Sequence, residues 1–100
     1  MACFSVLAVT PTTDKWIPGY LGPVGEIVAE HGGEYVARTT SHEQIEGAEA
    51  PAALRIIIKW PSMNAAKAFM ADERYAPHLT ARAKGSKSAH FLIEARDDLA

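Results

Sequence analysis

The chain has 100 residues and a mass of 10.8 kDa, enough for one domain with one core but not for two. Ten basic against twelve acidic side chains leave a formal net charge of -2, which argues against a nucleic-acid binder that works by neutralising phosphates. A single cysteine, Cys3, excludes an internal disulfide framework and a cysteine-rich metal site.

Phe4 to Thr10 (FSVLAVT) is rich in β-branched and aromatic residues and stops at Pro11, which predicts a first strand. The apolar opening from Ala2 to Val9 is short, has no basic flank and contains Ser5, so it reads as this strand rather than a secretory signal. Between Asp14 and His31, Trp16, Ile17, Tyr20, Leu21, Val24, Ile27 and Val28 fall on one face of a helix. Pro18, Gly19, Gly22, Pro23 and Gly25 fall on the other face, and Pro23 predicts a break near Leu21 to Pro23. Gly32-Gly33 should end the helix.

Glu34 to Thr40 (EYVARTT) predicts a second strand. The polar, acidic stretch from Ser41 to Ala53 reads as a long loop or as a short extra strand over His42 to Glu46. Leu54 to Trp60 (LRIIIKW) is the strongest strand signal, closed by Pro61. Ser62 is a suitable N-cap for a helix through Ala71. Asp72 to Tyr75 reads as a turn, and Pro77 opens another helix that runs to Lys84 and closes at Gly85. Ser88 to Ala95 (SAHFLIEA) predicts a last strand before a polar tail.

The order β-α-β-β-α-β, with the second helix in two pieces, predicts an α+β domain of ferredoxin-like topology: a four-stranded antiparallel sheet with helices on one face. Strand parity adds a second expectation. Leu54, Ile56, Ile58 and Trp60 alternate with Ile57, Phe91 and Ile93 alternate with Leu92, and Phe4, Val6 and Ala8 alternate with Leu7 and Val9. Both faces are therefore apolar, although helices cover only one. A second copy of the same sheet is the simplest cover, so a homodimer through the open face is expected.

The run His31-Gly32-Gly33-Glu34-Tyr35-Val36-Ala37-Arg38, followed by Ile45-Glu46-Gly47 and Ile57-Ile58-Lys59-Trp60-Pro61-Ser62, resembles one family. Asp72-Glu73-Arg74-Tyr75, with Leu79 and Arg82 after it, extends the likeness. Together these motifs are similar to the domain of unknown function 1330, within the dimeric α/β-barrel superfamily, over about Phe4 to Glu94. The resemblance implies a ferredoxin-like protomer whose sheet closes a barrel with its twin, in a family with no generally established activity. Three features depart from the family pattern: Thr39-Thr40-Ser41-His42 replaces its usual glycine-rich step, Trp60 replaces its usual Phe, and the first helix is unusually rich in proline and glycine. The superfamily includes cofactor-free monooxygenases, haem-degrading enzymes, haem-containing chlorite dismutases and lactone isomerases, and none of their catalytic sets matches this chain residue by residue.

Arg38, Arg55 and Arg82 are the most informative charges. Tyr75, Leu79 and Arg82 are spaced i, i+4, i+7, which puts Arg82 on a helical face expected to be buried. A buried guanidinium needs a carboxylate or an anionic ligand. In one reading these arginines form structural ion pairs with Glu46 or Glu94. In another, one or two of them join Tyr20 and His42 around a small carboxylate or similar anion in a pocket between helices and sheet. In a third they are simply exposed at the surface. The candidate ligand-binding set is Tyr20, Arg38, Glu46, Arg55, Tyr75 and Arg82. His42, beside Glu43 and Glu46, is the candidate general base, because an unperturbed imidazole titrates near neutral pH; a solvated loop histidine is the plainer reading.

The four histidines lie on different elements and form no metal motif, so neither metal nor cofactor is expected. Gly19, Gly22 and Gly25 make no phosphate-binding loop within a helix, and no G-x-S-x-G occurs. The expectation is a small cytoplasmic homodimer that binds a small organic molecule, with no nucleic-acid or membrane partner. A cofactor-independent oxygenase, isomerase or lyase is the alternative, and a structural or interaction module the third reading.

Overall fold

The computed structural model describes all residues from Met1 to Ala100. Four strands and three helices follow in the order β1 (Cys3–Pro11), α1 (Ile17–Glu30), β2 (Glu34–Thr39), β3 (Leu54–Trp60), α2 (Met63–Met70), α3 (Ala76–Gly85) and β4 (Ser86–Glu94). The sheet order is β2-β3-β1-β4, and every neighbouring pair is antiparallel. Each helical connection therefore skips one strand. Chains that cross over with the same hand lay their helices on the same side of the sheet. The predicted ferredoxin-like arrangement is the observed one.

Register decides which residues meet the helices. Ser5 sits between Ile58 and Leu92, and Leu7 between Ile56 and His90, all on the helix-covered side. Phe4, Val6, Ile57, Phe91 and Ile93 take the opposite side. The core is an aromatic stack under the helices: Trp60 and Phe69 have ring centroids 5.1 Å apart, and Phe69 and Tyr75 4.3 Å. Trp60 and Tyr75 are fully buried, which makes this stack the heaviest apolar anchor in the domain.

Three local features depart from expectation. The first helix is continuous across Pro23, with no break. Proline removes the hydrogen bond to the carbonyl four residues earlier, here Gly19. Gly19, Gly22 and Pro23 are all exposed, so water can satisfy that carbonyl while Val24, Ile27 and Val28 stay buried. The helix also starts at Ile17 rather than Asp14, with Pro18 in its first turn.

The connection from 40 to 53 contains no strand; the extra strand over His42 to Glu46 does not form. Gln44 organises it instead, its amide donating to the carbonyls of Glu46 and Ala48 at 3.1 and 2.6 Å while its Oε1 accepts from Ala50 N at 3.1 Å. These local bonds offer the backbone an alternative to a sheet ladder. Finally, β4 begins at Ser86, directly after α3, two residues earlier than the sequence pattern suggests.

The helix ends are secured by specific contacts. Ser62, in extended conformation, accepts from Ala65 N at 3.0 Å and caps α2. Gly32 takes φ +79°, the left-handed turn that ends α1. The neighbouring Gly33 is needed for space: a Cβ there would lie 2.6 Å from Val28 and 2.7 Å from the Trp60 ring. His31 Nε2 and Asp72 Oδ2, 2.8 Å apart, tie the end of α1 to the turn between α2 and α3. Hydrogen bonds from Arg74 and then His31 hold the Asp72 carboxyl well below the usual carboxylate range.

Candidate functional site

Between the sheet and helices α1 and α3 lies a cavity of about 80 Å³, and 14 of its 19 lining residues are hydrophobic. That is room for several waters or one small organic molecule. The few polar groups on its wall are therefore the informative ones.

Arg82 comes from α3, where its i+7 spacing from Tyr75 puts both on the inward face. It is only 5% exposed. It takes part in none of the chain's ion pairs: Glu94 pairs with Arg96 at 3.0 Å, and Asp72 and Glu30 with Arg74. Its one hydrogen bond is a long contact of 3.4 Å from Nη2 to Tyr75 Oη, and its Nε has no partner at all. Burial works against its charge, yet a guanidinium stays charged at neutral pH. The expected structural ion pair with Glu46 or Glu94 is absent. A buried cation without a carboxylate is costly to the folded chain.

Tyr75 Oη accepts from Arg82 and lies 3.1 Å from Tyr20 Oη, and either phenol can donate to the other. Both phenols line the cavity. With Tyr75 as the donor, the Tyr20 proton is left for whatever occupies the cavity. Burial, reinforced by Tyr75, pushes the Tyr20 phenol up, so it remains a neutral donor. Trp16 meets Tyr20 edge-on, with centroids 5.2 Å apart, and holds the ring in place.

Arg38 arrives by a different route. Strict alternation from Tyr35 would put residue 38 on the open face. The register shifts by one between Tyr35 and Ala37, so that Tyr35 pairs with Ile58 and Arg38 with Ile56, both on the helix side. The Arg38 guanidinium then lies 4.3 Å from the centre of the Tyr35 ring, at the exposed mouth of the cavity.

Tyr20, Arg38, Tyr75 and Arg82 therefore converge on one cavity. The remaining candidates do not join them. Arg55 pairs with Ala8 and Thr39 on the open side of the sheet and donates to Ala50 O at 2.6 Å. His42 and Glu46 are exposed on the long loop, where they border a shallow groove with Arg55. The loop is held by Gln44 and none of its residues lines the cavity, which the composition of residues 41 to 53 does not reveal.

Two cavity residues escaped the sequence reading. Ser5 is fully buried in β1; its Oγ accepts from Trp60 Nε1 at 2.8 Å and lies 2.9 Å from His90 Nε2. Burial, then the nearby positive charge of Arg82, lowers the His90 pKa, so its imidazole is neutral. Parity offered a signal for Ser5 alone, a polar interruption among Cys3, Leu7 and Val9; His90 shares its row with Ser86, Ser88 and Glu94 and does not stand out. No three His, Cys, Asp or Glu side chains gather closely enough to hold a metal ion.

A helix-covered antiparallel sheet with an arginine-bearing apolar cavity defines the class, a ferredoxin-like α+β protein with a small internal site. The chain belongs to the family described as domain of unknown function (DUF1330), whose model matches residues 2–96. No curated protein matches it in sequence. Among solved structures it is similar to RPA0582, a protein of unknown function from Rhodopseudomonas palustris. That likeness has a TM-score of 0.78 at 15% identity, covering 96% of this chain and 83% of that one. It is similar also to SnoaB, a cofactor-independent oxygenase from Streptomyces nogalater, with a TM-score of 0.65 at 22% identity over 98% of this chain and 96% of that one. An antibiotic biosynthesis monooxygenase gives 0.50 at 16% identity, over 94% and 99% of the two chains. At these identities the likeness is one of fold. No helix is long and apolar enough to cross a membrane.

Proposed function

We propose that this protein binds a small organic acid, an aromatic or short aliphatic carboxylate, in the cavity between helices and sheet. The observation that carries this reading is the buried Arg82 guanidinium with no carboxylate to answer its charge. The apolar lining suits the body of such a ligand, Arg82 and Tyr20 its anionic end, and Arg38 the entrance. A melting-temperature screen against acids from acetate to benzoate tests it. Stabilisation by one class of acid, lost in Arg82→Met, is the expected result. No shift with any acid in the series sinks the reading.

The open sheet face supports a further part of the proposal, a homodimer. Phe91 and Ile93 are 68% and 50% exposed, beside Phe4, Val6 and Ile57. A contiguous apolar surface of this kind marks an interaction site, and a second copy offers the matching face. The cytoplasm suits a chain whose thiol, Cys3, is unpaired and buried.

A second reading, a cofactor-independent enzyme acting on the same acid, is favoured by the meeting of Arg82 and Tyr75 at 3.4 Å inside an apolar cavity. Dioxygen uptake or ligand isomerisation on incubation with acids that the screen selects distinguishes turnover from binding alone.

A further inference from the structure

Ser5 is a hydroxyl with two neighbours and one proton. Trp60 Nε1 can only donate, so it uses one lone pair of Ser5 Oγ at 2.8 Å. Ser5 is 1% exposed and lines the cavity, and His90 Nε2, 2.9 Å away, is the one protein acceptor in reach of its proton. Donation from Trp60 to Ser5 to His90 Nε2 gives each of the three groups a partner. An imidazole that accepts at Nε2 and is neutral carries its proton on Nδ1. The alternative tautomer would aim two N–H groups at Ser5 Oγ and turn the serine proton toward the cavity.

Nδ1–H has no protein partner. Arg82 Nε is the sole sealed side-chain polar atom without one, so His90 Nδ1 borders open space, and His90 lines the cavity. Arg82 lines the same cavity. The two hydrogen-bonded chains, Arg82 with Tyr75 and Tyr20, and Trp60 with Ser5 and His90, thus both border it.

We infer that His90 is a second anchor of the bound acid: a neutral Nδ1–H donor, held in that tautomer by Ser5 and Trp60, to the carboxylate paired with Arg82. Ser5 and Trp60 are positioning residues that act through His90. The site then offers donors and no strong acceptor, and it selects the deprotonated acid over its neutral amide or ester, which lack the charge that Arg82 pairs with. This rests on the acid-binding reading above and specifies its chemistry.

The test has two readouts. Nitrogen-15 spectra of ligand-free protein at pH 7.5 assign the tautomer without any ligand. The Nδ1–H form is expected in the wild type, with a shift toward Nε2–H in Ser5→Ala. An Nε2–H imidazole in the wild type overturns the relay. Benzoate titration then tests the anchor. His90→Gln, whose amide reaches toward Ser5 and leaves the Nδ1 position empty, should weaken benzoate about tenfold or more. His90→Asn, which puts an amide donor near the Nδ1 position, should retain affinity within about threefold, about 0.7 kcal/mol. Equal affinity for benzoate in wild type and His90→Gln overturns the anchor. Failure of the wild type to bind any acid in the series overturns the acid-binding reading instead, and the tautomer readout separates the two failures. Should Ser5→Ala not fold, the wild-type tautomer and the two His90 variants still decide the matter.

Discussion

Trp16 covers Gly85: the indole Nε1 donates to the Gly85 carbonyl at 3.0 Å, and a Cβ at residue 85 would enter the space of the ring. The contact fastens the start of α1 to the end of α3, and Trp16 in turn braces Tyr20 at the cavity. Gly85→Ala should therefore destabilise the fold by about 1–3 kcal/mol through overpacking and also loosen the site. Denaturant melts measure the first effect, and benzoate affinity the second. An unchanged midpoint would mean that the tryptophan moves aside at no cost.

Arg82 sets stability against function. Replacing an unpaired buried cation with an apolar side chain of similar length removes a desolvation penalty, so Arg82→Met should leave ligand-free stability unchanged or raise it by about 1–4 kcal/mol. The same variant should lose all stabilisation by benzoate. If Arg82→Met unfolds the protein instead, the arginine has a structural role that its lack of partners does not reveal.

Acid should weaken the fold in two steps. A histidine whose folded pKa lies below its unfolded value, ordinarily near 6.5, contributes stability that is full above that value and is lost as pH falls toward the folded one. His90 is such a group, and His90→Gln should remove that part of the pH dependence. Asp72 behaves alike lower on the scale: its contribution is present above the ordinary carboxyl value of 3.8 and drains away as pH falls below it. Asp72→Asn should abolish the second step but not the first, as urea midpoints between pH 3 and 8 would show.

The open face makes a prediction about assembly. Phe91→Glu places two like charges near each other if two sheets meet face to face, and it should convert a micromolar dimer to a monomer without altering the protomer's circular dichroism. Sedimentation equilibrium of the two proteins checks this. A wild type that is already monomeric would remove the sheet-face dimer from consideration.

At the end of α2, Ser62→Ala removes the bond to Ala65 N and should cost about 1 kcal/mol. Thermal melts should show this loss with benzoate affinity unchanged, because the cap lies outside the cavity.

Much of this arrangement follows from the order of residues alone. Length and charge argued for one domain and against binding by phosphate neutralisation. Local signals placed most element ends, because Pro11, Pro61, Gly32 and Ser62 act on backbone geometry within a few residues of themselves. Apolar residues on both strand parities marked two faces to be covered, and the spacing of Tyr75 and Arg82 put a charge where burial was expected.

The convergence of the site is a different matter. Arg38 faces the cavity because the register slips between Tyr35 and Ala37, and a slip depends on how β2 pairs with β3, not on either strand by itself. His90 and Ser5 became neighbours through the pairing of β1 with β4, 85 positions apart along the chain. Arg55 went elsewhere for the same reason, since parity within a strand names two faces but not which one the helices cover; His42 lies on the loop that Gln44 organises. The composition met at the outset described an ordinary small domain of low net charge; its one buried positive charge without a carboxylate is visible only after folding has removed every carboxylate from Arg82.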